Sequence, residues 1–325
     1  MDDREHCKED NMSTAALPKL VPIAFLTVVL VWSTTPLGIV WSSETVHPTL
    51  AVLLRMLIAL VLGIGILLLA RIRLPCTATA FKLYSFSAIG IVGGMSLSYF
   101  AARYLPSGVM SLIFGLSPLL SGLIAQRLLN EAKFSMMRIS AFVLAFIGLA
   151  IVCSSKLSID GGSWIGLVLV LIAVVLFSLS GVLIKTVKIN IHPLASTVGA
   201  LIVSTPLFAL IWLTFDGSFS ITSWQDRSIV AIVYLGVFGS LLGFIAYFYI
   251  LQHLNASTVA LVTLITPVFA MILGALLNNE AISQSLIIGA GFVLGGLSLY
   301  QFGELLLKQL RLSRHSHSLQ DRSNK

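Results

Sequence analysis

The chain has 325 residues, of which 57% are hydrophobic and 10% charged, and its mean hydropathy is +1.00. A soluble domain carries about 25% charged residues, so a soluble enzyme is excluded and a polytopic membrane protein is indicated. The formal net charge of +7 does not point to nucleic acid, because the bases are scattered between long apolar runs. Cys7, Cys76 and Cys153 have neither metal-ligand spacing nor the pattern of a disulfide framework.

After a first segment, residues 1–20, ten apolar runs follow in chain order. They are residues 21–41, 48–70, 81–102, 106–129 and 135–153, then 164–186, 193–215, 228–251, 255–277 and 283–302. Each approaches the ~20 residues a helix needs to cross the hydrocarbon. Lipid offers no partner to backbone N–H and C=O groups, so every run is expected as a helix. The alternation of barrel strands is absent. The first run is kept as a span, not a cleaved leader, because its flank is as acidic as basic and lacks a clear small-residue cleavage site. Residues 304–325 are polar and basic and are expected as a mobile tail near anionic headgroups, His315 and His317 included, with no metal site.

Orientation follows from Lys and Arg in the connections. With both termini cytoplasmic, 16 of the 20 basic residues fall inside, among them Arg71, Arg73, Lys82, Arg127, Lys133, Arg138, Lys185 and Lys188. Only Arg103, Lys156 and Arg227 fall outside, and Arg55 lies within a span.

The sequence repeats itself. Leu105, Leu112, Pro118, Leu128 and Asn130-Glu131-Ala132 match Leu254, Leu261, Pro267, Leu277 and Asn279-Glu280-Ala281 at an offset of 149. His47-Pro48 matches His192-Pro193, and Trp32-Ser33 aligns with Phe177-Ser178, at an offset of 145. Residues 216–227 can hold the extra residues. Each half, 21–154 and 164–303, holds five spans. The number is odd, so the second half is inverted in the membrane. The expected fold is therefore all-α and integral to the membrane: ten helices in two inverted five-helix repeats. Such repeats are typical of transporters, with substrate near the midplane.

At these residues the chain resembles the EamA-like branch of the drug/metabolite transporter superfamily. The resemblance rests on Trp32-Ser33-Thr34-Thr35-Pro36, on Arg55-Met56, and on Pro118 with Glu131 and Pro267 with Glu280. It departs at Ser33, where the family motif has Gly, and at Val40, where the family often has Lys; the second half keeps Lys185. The resemblance implies transport of small metabolites, commonly export of amino acids or similar compounds, and a cavity bordered by the first helix. It makes Trp32, Ser33 and Thr34 preferred substrate contacts.

Arg55 is the one ionisable residue deep in a span. It lies seven residues after Pro48, roughly 10 Å along the helix. A charge there costs at least about 2.5 kcal/mol to insert. Either it binds a substrate carboxylate or phosphate, or it snorkels or caps carbonyls for structure. Its equivalent at position 200 is Ala, so the fold does not demand it. Tyr99 and Tyr247 are further cavity candidates, and Trp32 lies at mid-span. Pro36, Pro118, Pro206 and Pro267, each after Ser or Thr, are expected helix breaks or hinges that free a carbonyl. Glu131 and Glu280 fall at helix ends and are expected to cap or pair. No Asp, Glu or His lies inside a span, which favours facilitated transport or coupling through peripheral groups. The span glycines read as close packing.

An intramembrane enzyme is disfavoured. Ser117 lacks the second Gly of a nucleophile elbow, and no spanning His or carboxylate could activate it. The expected function is a secondary transporter of a small polar metabolite in the cytoplasmic membrane, export favoured. The alternatives are uptake, or flipping of a lipid-linked substrate. No cofactor is called for. The expected partners are the small-molecule substrate and membrane lipid, not nucleic acid. Monomer and homodimer both stay open.

Overall fold

The computed structural model describes residues 18, 20–129, 134–157, 163–219, 223–254 and 256–323; for 154–157, 256, 257, 260 and 304–323 only the backbone is described. Ten helices are long and apolar enough to span a membrane. They are α1 Leu20–Ser42, α2 Pro48–Leu69, α3 Ala78–Ala101, α4 Ser107–Leu128 and α5 Met136–Leu157, then α6 Ser163–Lys185, α7 Pro193–Phe215, α8 Asp226–His253, α9 Ala256–Asn278 and α10 Gln284–Ser323. The recurrent His-Pro pair is a helix start. Pro48 and Pro193 occupy the first turn, where a missing N–H costs nothing. His192 Nδ1 accepts from Leu194 N at 3.2 Å, while His47 Nδ1 pairs with Thr49 Oγ1 at 2.8 Å.

The packing carries the repeat. Helix α1 lies on α8 and α9, as α6 lies on α3 and α4; α2 lies on α8, as α7 lies on α3. Helices α2 and α7, α4 and α9, and α5 and α10 meet as equivalent pairs. The inversion is visible at the helix ends. Trp41, at the end of α1, donates to Asn278 Oδ1 at the end of α9 at 2.9 Å. The counterpart of α1, α6, begins on that same face, with Gly166 against Tyr104 and Leu105.

The two faces differ in charge. The ends of α2, α4 and α6 and the start of α3 carry Arg71, Arg73, Lys82, Arg127, Lys185 and Lys188. This is the basic face. The described side-chain carboxylates, those of Glu44, Asp216, Asp226 and Glu280, lie on the opposite face, with Arg103 and Arg227.

Polar side chains join the halves on the opposite face. Asn279 adopts a φ of 50°, which Asn tolerates better than most residues, and this ends α9. The turn brings Glu280 back onto the start of α4. There its carboxylate accepts from Ser107 N at 3.0 Å, Gly108 N at 3.2 Å and Asn278 Nδ2 at 3.1 Å. The expected cap is therefore observed at Glu280; Glu131 lies outside the described residues. Arg227 donates to Asn278 Oδ1 at 2.7 Å, lies 3.6 Å from Glu44 and stacks 4.4 Å over the Trp41 ring.

The structure adds to the expectation for the tail and corrects that for the prolines. Helix α10 continues to Ser323, so the backbone of the polar, basic tail is helical that far. Its Leu, Glu, Lys, Gln and Arg are good helix formers, with no Gly or Pro beyond Gly303. The helices do not break at Pro36, Pro206 or Pro267, which lie inside continuous helices. Only Pro118 accompanies a break, between Phe114 and Ser117. Gly115 lies at that break in close contact: a Cβ there would sit 2.9 Å from Leu112 O and 3.3 Å from Pro267. Ser117 Oγ donates to Phe114 O, and Ser178 of α6 donates to Ser117 O at 3.2 Å.

Candidate functional site: a buried arginine at the α1–α2–α8 crossing

The site begins with glycines. Gly90 and Gly94 in α3 recur as Gly239 and Gly243 in α8 at the offset of 149. Around each pair the helix widens to a π-helix, over Ile89–Gly94 and Leu235–Leu242. Such segments are rare and concentrate at functional sites. Without side chains these turns admit close neighbours. A Cβ at Gly243 would stand 3.0 Å from Val31 and 3.7 Å from Trp32 Nε1. A Cβ at Gly239 would stand 3.1 Å from Arg55 Nη2 and 3.1 Å from Leu235. Trp32 of α1 and Arg55 of α2 are thus brought to adjacent turns of one glycine face of α8.

Arg55 is fully buried, with 0% of its surface exposed. Its Nε donates to Ser240 Oγ at 2.7 Å. Nη1 and Nη2 have no hydrogen-bond partner among the described residues. One edge of the guanidinium is therefore occupied, and the end-on edge, the one that can take an oxyanion bidentately, is unpaired among the described residues. An unmatched buried donor costs about 1–3 kcal/mol, more when charged. The described carboxylates, all at helix ends of the opposite face, leave this cation without an anionic partner.

The other predicted residues divide. Trp32 is half-buried and packs on Tyr247 with ring centroids 4.9 Å apart. Thr34 Oγ1 is 2.6 Å from Tyr234 Oη on α8. Trp32, Thr34 and Arg55 therefore all meet α8, the helix that carries Tyr247. Ser33 is buried, and its hydroxyl is spent on Val29 O at 2.6 Å. Tyr99 is also fully buried, in the core shared by α2, α3, α7 and α8, and its hydroxyl has no partner among the described residues. Thr35 Oγ1 bonds Val31 O at 2.7 Å, so beside Pro36 the hydroxyl serves its own helix.

Sequence reasoning missed Ser240 and Tyr234, and it took Gly239 and Gly243 as plain packing. A signal existed. The glycine pairs share the offset already set by the Pro and Asn-Glu-Ala matches, and a glycine pair repeated in register marks a close approach.

Comparison with known proteins agrees with this architecture. A family model described as the EamA-like transporter family matches residues 19–154 and again 164–301. The chain is 27% identical over 244 residues to the uncharacterized transporter YvbV of Bacillus subtilis, covering 73% of this chain and 78% of that one. It is 22% identical to the uncharacterized transporter YoaV of the same organism, over 87% of this chain and 97% of the other. Protein PagO of Salmonella typhimurium is 27% identical over 81% of this chain and 86% of its own length. A solved crystal structure superposes with a TM-score of 0.61 at 19% identity, covering 87% of this chain and 97% of its own. That likeness speaks for the fold alone.

Proposed function

The chain belongs to the EamA-like transporter family, matched over both of its halves, and from that premise we propose that it is a secondary carrier for a small polar metabolite bearing an anionic group. An amino acid or a related compound fits this description, and the direction is export across the cytoplasmic membrane. Both termini are cytoplasmic in this reading, because the basic face then meets the cytoplasm.

One observation carries the reading. Arg55 is a buried cation with an unpaired end-on edge and no described carboxylate near it. A guanidinium stays charged in a protein interior. It therefore needs an anion, and a substrate carboxylate supplies one with matching geometry. Trp32 and Tyr247 border the same face of α8 and offer ring surface to the remainder of the molecule. Thr34 and Tyr234 offer hydroxyls.

The test compares cells that carry equal membrane levels of wild type and Arg55→Met. Extracellular metabolites are profiled without targeting any compound, and the compound class found is then assayed for flux in proteoliposomes. A class that accumulates outside only with wild type supports export and names the cargo. Enrichment inside reverses the direction. Equal behaviour of wild type and Arg55→Met makes Arg55 structural and removes it from the site.

A further inference from the structure

A cavity lies away from Arg55, on the basic face. Helix α2 ends at Leu69, and Arg71 turns the chain with a φ of 54°. Ile72 N then closes the helix end on Leu67 O at 3.0 Å. The chain runs without regular structure to Thr77, whose Oγ1 accepts from Ala80 N at 3.2 Å and so caps α3. Tyr84 Oη donates to Pro75 O at 3.1 Å and holds the connection over α3. Gly199 of α7 lets the Tyr84 ring lie against that helix, where a Cβ would sit only 2.4 Å away.

What remains between the connection, α3 and α7 is a groove of about 340 Å³, lined by Leu74, Pro75, Phe81, Tyr84, Ile202 and Val203 among others. Its wall is overwhelmingly carbon. Phe81 is 61% and Ile202 40% exposed, so the groove opens on the surface that faces lipid. Ile202 and Val203 are nine and ten residues into α7 from Pro193, roughly 14 Å from the helix start. The slot thus runs from the interface well into one leaflet.

The residues that flank the lining in sequence set the charge of its mouth. Arg71, Arg73 and Lys82 are exposed. No described side-chain carboxylate lies on this face. Three cations at the level of the headgroups, above an apolar slot at the level of the chains, match an amphiphile with an anionic head. Basic pockets between helices on the cytoplasmic side hold such lipids by the same logic. A second copy of the chain fits this face poorly. A twofold interface sets a patch against itself, which would bring both sets of bases together.

We propose that this groove is a binding site for an anionic phospholipid, with one acyl chain between the α2–α3 connection and α7 and the phosphate held by Arg71, Arg73 and Lys82. The proposal is independent of what the carrier moves, and its test needs no transport.

Purified full-length protein is equilibrated with phosphatidylglycerol or phosphatidylcholine of the same acyl chains and examined by native mass spectrometry. The expected result is one retained phosphatidylglycerol, favoured over phosphatidylcholine by at least about tenfold. Val203→Trp, which fills the slot, abolishes retention of both lipids. The triple change Arg71→Gln, Arg73→Gln and Lys82→Gln leaves retention but removes the preference. Cys76 lines the groove and is exposed, which gives a second readout on the unaltered chain. Its alkylation, followed by peptide mass spectrometry, slows several-fold in phosphatidylglycerol nanodiscs relative to phosphatidylcholine. Equal retention of the two lipids, retention untouched by Val203→Trp, or alkylation of Cys76 at one rate in both nanodiscs overturns the proposal. A homodimer that carries no lipid overturns it as well.

Discussion

At the crossing of α6 with α3, Phe177 lies on Gly94 and Ser180 lies over Gly90, with its hydroxyl given to Phe86 O at 2.7 Å. At the equivalent crossing of α1 with α8, Trp32 replaces Phe177 and approaches Gly243, but Gly239 is met by the Arg55 guanidinium. The first crossing is closed by apolar contact and one satisfied hydroxyl. The second leaves two charged donor groups without partners. At the repeat offsets Arg55 corresponds to Ala200 and Ser240 to Ile91. The glycines and the aromatic recur and so belong to the fold. The charge and its hydroxyl partner do not recur, so the crossing can be built without them.

The most severe way to break this comparison is Arg55→Met, which gives the second crossing an apolar centre like the first. Flux in proteoliposomes is expected to fall by at least about a hundredfold. The thermal midpoint is expected to hold or rise, because replacing an uncompensated buried charge by a packed apolar side chain is often neutral or stabilising. A large drop in the midpoint would mean that Arg55 serves the fold.

The glycine pair sharpens the contrast. In Gly239→Ala the new Cβ stands 3.1 Å from Arg55 Nη2, and displacement of that group is expected to cost about tenfold in flux with little loss of stability. In Gly90→Ala the Cβ meets Ser180 Cβ at 2.8 Å. There overpacking is expected to cost about 1–3 kcal/mol in stability, with flux reduced only as far as the folded protein is. The two variants are compared by thermal unfolding and by flux per folded molecule.

Ser240→Ala removes the one hydrogen bond that Arg55 makes among the described residues. It is expected to lower affinity several-fold, at about 1 kcal/mol, and to raise KM more than it lowers the maximal rate. The smallest effect belongs to the opposite face. Glu280→Gln keeps a cap on α4 but weakens its charge-assisted bonds to Ser107 and Gly108, for about 0.5–1 kcal/mol seen as a lower midpoint.

Much of this was legible in the sequence because lipid restricts the choices. The apolar runs had to be helices, and the odd number per half required inversion. The His-Pro and Asn-Glu-Ala matches set the register, and the structure gives their reasons: a helix start, and a helix stop that returns a carboxylate to α4. Arg55 stood out because charge within a span is costly. What stayed hidden depends on neighbours distant in sequence. Nothing near Ser240 announces that it faces position 55, 185 residues away. Nor does the sequence separate Pro118 from Pro267, although at the break Ser178 of α6 donates to Ser117 O. Ser33 was misleading for a local reason: a serine in a helix bonds back to the carbonyl four residues earlier as readily as to a ligand.

A lone cation within a span is also an electrical element. Moving one elementary charge through a full membrane potential of 100 mV is worth about 2.3 kcal/mol, and Arg55 sits within that field. With the site empty the crossing carries one uncompensated positive charge. With a monoanion on the end-on edge it carries none. On the proposed function, a monoanionic cargo leaves the voltage to act on the empty protein alone, whereas a zwitterion such as an amino acid keeps the positive charge in place. For a monoanionic cargo the expected consequence is that, of the two conformational steps in a transport cycle, the return of the empty carrier is the one whose rate follows the membrane potential.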